Sequence, residues 1–71
     1  MRVKYFEDTD TTLVEFSSNP PVETQEFNEN IYLDFDAEGR VVSITIEHAG
    51  QSADMREFLY QRIPANLSTT N

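Results

Sequence analysis

Two runs of residues constrain this chain more than any other feature in it. Ile31-Tyr32-Leu33-Asp34-Phe35-Asp36 and Val42-Ser43-Ile44-Thr45-Ile46-Glu47 both alternate apolar with polar side chains, which is the period of a strand with one buried face. A helix built from either run would scatter its isoleucines and acids around the whole circumference. Between them, Ala37-Glu38-Gly39-Arg40 supplies a glycine where a tight hairpin needs positive φ. The stretch therefore reads as a hairpin, with Ile31, Leu33, Phe35, Val42, Ile44 and Ile46 facing inward and Tyr32, Asp34 and Asp36 outward.

The same period recurs upstream. Arg2 to Phe6 alternates Val3 and Tyr5 with Arg2 and Lys4, and Thr12 to Phe16 sets Val14 and Phe16 together with Leu13 opposite them. Glu7-Asp8-Thr9-Asp10-Thr11 is a turn-prone polar cluster between these two strands. Ser17-Ser18-Asn19-Pro20-Pro21 ends the second strand, because the prolines offer no amide donors. Val22 to Phe27 reads as a polar strand suited to a sheet edge, followed by a turn at Asn28-Glu29-Asn30. Near the C-terminus, Ser52 is a candidate cap for a helix whose Met55, Phe58, Leu59 and Ile63 recur at helical spacing before Pro64.

The expected fold is α+β: a small antiparallel sheet of about five strands in meander order, with one C-terminal helix packed on its apolar face. That face would carry Val3, Tyr5, Val14, Phe16, Ile31, Leu33, Phe35, Val42, Ile44 and Ile46. Residues 1–63 form the expected domain and 64–71 a flexible tail.

At 71 residues the core must be thin, and with no cysteine in the chain neither a disulfide nor a thiolate zinc site can reinforce it. Self-association is the remaining means, and a homodimer is expected. Thirteen acidic residues against five basic ones give a net charge of -8, which repels phosphate backbones and argues against nucleic acid as a partner. The same acidity would suit a basic protein. No apolar run approaches the roughly 20 residues that span a bilayer, so no membrane association is expected. The lack of cysteine and of a signal-like apolar segment after Met1 points to a cytoplasmic location.

The order of an opening basic and apolar strand, then Asp10-Thr11-Thr12-Leu13-Val14-Glu15-Phe16, then Val22-Glu23-Thr24, then Leu33-Asp34-Phe35-Asp36-Ala37-Glu38-Gly39-Arg40-Val41-Val42-Ser43-Ile44-Thr45-Ile46-Glu47-His48-Ala49, resembles the bacterial family of domain-of-unknown-function 2283. The resemblance spans roughly Met1 to Ala49, and its most specific part is the hairpin from Leu33 onward. In that family the second strand often carries an aromatic residue where Leu13 stands here. The resemblance implies a β-rich fold in a bacterial cytoplasmic setting. It brings no catalytic motif, and the proximity of some such domains to toxin genes implies an interaction role.

Three constellations were weighed for chemistry. Asp34-x-Asp36-x-Glu38-Gly39 matches the opening of a calcium loop, but Thr45 stands where the closing bidentate Glu belongs, and a hairpin turn needs the same Asp and Gly. Asp34, Asp36 and Glu47 could share a face as paired carboxylates, although an open sheet offers them little concavity. His48 is the single histidine, so a two-His metal site is impossible within one chain, and it reads as a partly buried structural group beside Ile46. No catalytic, metal or cofactor residue is therefore assigned.

The expected function is a non-enzymatic protein-interaction module. Its contact surface would be the outer face carrying Leu13, Phe27, Tyr32, Asp34, Asp36 and Glu47. The alternative is a ligand-binding or hydrolytic domain whose carboxylate and histidine site forms between subunits.

Overall fold

A computed structural model describes residues 1–65. Its strands are β1 (Arg2–Phe6), β2 (Thr11–Glu15), β3 (Glu23–Asn28), β4 (Ile31–Phe35) and β5 (Val41–Glu47), with a single 3₁₀ turn at Ala49–Gln51. They form one antiparallel five-stranded sheet in the order β1-β2-β5-β4-β3. The sheet and its strands match the sequence pattern closely, but the meander order does not hold. After β2 the chain crosses to the far edge, so β2 pairs with β5 and not with β3. Composition explains the swap: β5 is rich in β-branched apolar residues and takes the centre, whereas every residue of β3 is exposed and suits an edge.

The register sets two faces, because residues directly opposite one another project from the same side. Val3, Val14, Ile44 and Leu33 form one row across β1, β2, β5 and β4, continued on β3 by Gln25. Tyr5, Thr12, Ile46 and Ile31 form the next. On the opposite side lie the rows Lys4, Leu13, Thr45, Tyr32, Glu26 and Arg2, Glu15, Ser43, Asp34, Thr24. The first side is the apolar face and the second the polar face. Arg2 and Lys4 both approach the Glu15 carboxylate, at 3.5 and 3.7 Å, and all three are solvated enough for these pairs to contribute little.

The connection between β2 and β3 is held by Asp36. Its Oδ1 accepts the amides of Glu38 and Arg40 at 2.9 Å each, its own carbonyl accepts the Gly39 amide at 3.0 Å, and its Oδ2 accepts the Asn19 side-chain amide at 3.1 Å. One buried carboxylate thus closes the β4–β5 turn and ties down the crossover. Gly39 supplies the turn's left-handed residue, with φ 83°. Leu13, the apolar residue of the polar face, lines a depression with Pro20, Pro21, Asp34 and Val42 where the crossover passes. A register slip between Asp34 and Phe35 sets Phe35 opposite Val41.

The C-terminal helix expected from Ser52 to Ile63 is absent, and the segment from 55 to 65 has no regular structure. Two local features mark the point where a helix would begin. After Ala49, whose carbonyl accepts the amides of Ser52 and Ala53, the turn does not propagate. The Asp54 carboxylate then accepts the Arg56 amide at 3.0 Å and holds its guanidinium, a capping-type contact that no helix follows. A segment of about 12 residues is too short to be helical on propensity alone. The expected tail is outside regular structure at 64 and 65, and 66–71 lie outside the described residues.

Without that helix the core is sparse. Val42 and Ala49, 3% and 2% exposed, are the buried apolar residues among the described residues. Val3, Tyr5, Val14, Ile31, Leu33, Phe35, Ile44 and Ile46 are all half-buried.

Candidate functional site

The two ends of the sheet are held by aspartates with opposite tasks. At the end opposite the Asp36 turn, Asp10 adopts the left-handed conformation with φ 54°, which its short side chain tolerates. Its Oδ1 accepts the Tyr5 hydroxyl at 2.6 Å and the Gly50 amide at 2.9 Å, and its carbonyl accepts the Ala49 amide at 2.9 Å. The β1–β2 turn therefore fastens the start of the C-terminal segment. Asp10 is held below the usual carboxylate range by the Tyr5 hydroxyl first and the Gly50 amide second. The same hydrogen bond raises the Tyr5 phenol. Asp36 is lowered by the Arg40 amide, the Asn19 side chain and the Glu38 amide.

His48 is exposed, not partly buried. A left-handed residue with φ 56° ends β5 there and takes the ring out of the strand's alternation. Its Nδ1 lies 3.0 Å from Asn30 Oδ1, while the Asn30 carbonyl accepts the Glu47 amide at 2.7 Å. The ring closes the space between the ends of β4 and β5.

The residues expected to form an outer contact surface are only partly brought together. Leu13, Tyr32, Asp34 and Glu47 share the polar face, as expected, though Leu13 lies beside the crossover. Phe27 sits in the register irregularity between Glu26 and Asn28 and is 71% exposed. Asp36 does not join them, because the turn and crossover use both of its carboxylate oxygens. Asp34 accepts hydroxyls from Thr24 and from Ser43, the latter at 2.7 Å. Glu47 lies four residues along β5 from Ser43, about 13 Å at strand rise. The carboxylates therefore occupy three separate settings: Asp34 within the polar face, Asp36 in the β4–β5 turn and Glu47 at the far end of β5. Among the described residues no three His, Cys, Asp or Glu side chains cluster as a metal site. Tyr32 is raised by the Glu47 charge first, then by burial and the charges of Glu26 and Glu29.

The stronger candidate is the apolar face, which the sequence pattern identified but assigned to a helix. Its rows are continuous across β1, β2, β5 and β4, and within the strands Glu23, opposite Phe35 at the edge, is the charged residue in register with them. The C-terminal segment reaches only one side of it. Thr12 Oγ1 donates to Met55 Sδ at 3.8 Å, and Phe58 and Tyr60 line a hollow with Met1 and Val3. Phe58, Leu59, Tyr60 and Ile63 remain 66%, 71%, 62% and 80% exposed.

A family model described as a protein of unknown function, DUF2283, matches residues 2–49. The chain belongs to the DUF2283 family. The matched span of this DUF2283 protein runs from β1 through β5 to the start of the 3₁₀ turn, so both aspartate anchors and the whole apolar face of the sheet lie within it. Comparison with curated proteins and with solved structures gave no match. No helix among the described residues is long and apolar enough to cross a membrane.

Proposed function

We propose that this DUF2283 protein is a protein-interaction module whose contact surface is the apolar face of its sheet. The observation that carries this reading is the row of Val3, Val14, Ile44 and Leu33 with its neighbours, contiguous over four strands and half-buried throughout. Domains bury a sheet's apolar side against a second layer, and contiguous exposed apolar surface marks contact sites. The carboxylates and His48 give less support to a catalytic reading, since they occupy separate ends and faces of the sheet.

Photo-cross-linking in the native host tests it. Benzoylphenylalanine replaces an aromatic residue on each face, at Phe35 or at Tyr32, with circular dichroism confirming the fold. Adducts to protein should form from position 35 and not from position 32. Adducts from position 32 alone would instead favour a basic partner on the acidic polar face, and adducts from neither would sink the proposal.

A further inference from the structure

The apolar face also indicates its occupant. We infer that the second layer of this fold is a second copy of the same chain, stacked isologously face to face, an inference that rests on the interaction reading above. A single sheet with two buried apolar residues lacks the second layer a stable domain needs. Among the described residues the C-terminal segment does not supply that layer: its contacts at Thr12, Met1 and Val3 lie toward β1 and β2, away from the half-buried Ile31, Leu33, Phe35, Ile44 and Ile46 of β4 and β5.

Charge favours the same solution. The polar face carries Glu15, Glu26, Asp34 and Glu47, whereas the apolar rows carry no charge except Glu23 at the edge. Stacked sheets lie about 10 Å apart. Joined at the apolar faces, two copies hold their acidic faces outward, about 20 Å apart and beyond the screening length of about 8 Å at physiological salt. Any other pairing of faces would bring acids together or bury them.

Area is sufficient. The three strands β5, β4 and β3 that the C-terminal segment does not reach, at about five residues each, give a flat footprint of about 14 by 17 Å, or about 240 Å² per copy before side-chain relief is counted. Phe58, Leu59, Tyr60 and Ile63 add on the order of 500 Å² of exposed apolar surface beside it. Together these fall within the about 600 to 1,000 Å² per partner of a specific interface. The two segments would flank the stacked sheets, each meeting the open β4 and β5 side of the other copy.

Sedimentation equilibrium of the full chain at micromolar concentration and about 0.15 M salt reads the mass, and isotope-filtered NOEs in a mixed labelled and unlabelled sample read the contact. A mass of twice 8.2 kDa is expected, with intermolecular contacts from the methyls of Ile31, Leu33, Ile44 and Ile46. Leu33→Lys should weaken association at least tenfold, while Thr45→Lys on the polar face should not. A monomer throughout the range overturns the second copy, and so does a dimer whose intermolecular NOEs come from the polar face or a sheet edge. Should a monomer still give position-35 adducts to a different protein, the interaction reading stands and only its occupant falls; a monomer without adducts removes both.

Discussion

Asp36 does more for this fold than any other single polar side chain, because the hairpin turn and the crossover share its carboxylate. Asn in its place keeps one acceptor for the turn amides but turns an NH₂ toward the Asn19 NH₂, so Asp36→Asn should lower the urea midpoint near neutral pH. The pH dependence follows from the direction of its shift. Asp36 titrates lower when folded than when unfolded, so its stabilisation is present above the ordinary carboxylate pKa and fades as pH falls through the folded value. The gap in midpoint between the natural chain and Asp36→Asn should therefore narrow from neutral pH to about pH 3. A gap that stays constant would show that the charge is not what stabilises the turn. Asp10, lowered for the same kind of reason, leaves the variant with some acid sensitivity. Val42, 3% exposed, tests packing instead: Val42→Ala should cost about 2 kcal/mol in urea unfolding, and a loss below about 0.5 kcal/mol would contradict its place in the core. At Gly50 the constraint is space, since an added Cβ would lie 3.0 Å from Asp10 Oδ1. Gly50→Ala should therefore perturb the Tyr5 to Asp10 hydrogen bond, visible as a loss of the phenol's raised pKa in a spectroscopic titration.

At the scale of elements, alternation of period two made all five strands and most of the apolar face legible in the sequence, because a one-residue error would have moved every isoleucine to the solvent side; Phe16, exposed past the end of β2, and Val42, which beside the register slip lines the crossover depression with Leu13, depart from it. Strand order was not legible. The sequence pattern shows that Ser17 to Pro21 cannot continue a strand, but not that Asn19 would reach Asp36, a contact 17 residues away. The helix failed for a complementary reason: spacing of apolar residues is necessary for an amphipathic helix, yet a short one forms only where packing supports it, and Phe58, Leu59 and Ile63 remain exposed. His48 was misplaced because parity assumes extended backbone, and its φ of 56° breaks that assumption. The contact surface expected from the sequence lies on the polar face, because the apolar face was assigned to the helix. These differences predict a gradient in amide exchange. β5, paired on both sides, should exchange slowest, the edges β1 and β3 faster, and residues 55 to 65 fastest. Protection of the 55 to 65 amides comparable to β5 would mean that this segment is helical in solution after all.

For the whole molecule, the proposed face-to-face pairing would make stability a property of concentration. If two copies fold and stack as one unit, every tenfold rise in protein concentration adds about 1.4 kcal/mol to the folded side. For a pair of chains this size that corresponds to an increase in Tm of about 4 to 5 °C. Salt should act weakly and in the stabilising direction, because the acidic faces point away from each other and only their residual repulsion is left to screen. An interface made through the polar face would respond far more steeply, as it would set Glu15, Glu26, Asp34 and Glu47 of one copy against the same residues of the other. Scanning calorimetry across a tenfold concentration range, at low and at high salt, separates these cases. A concentration-dependent Tm with little salt dependence is expected; a Tm independent of concentration would mean that the lone sheet is stable with its apolar face open, and a steep rise with salt would place the contact on the acidic side.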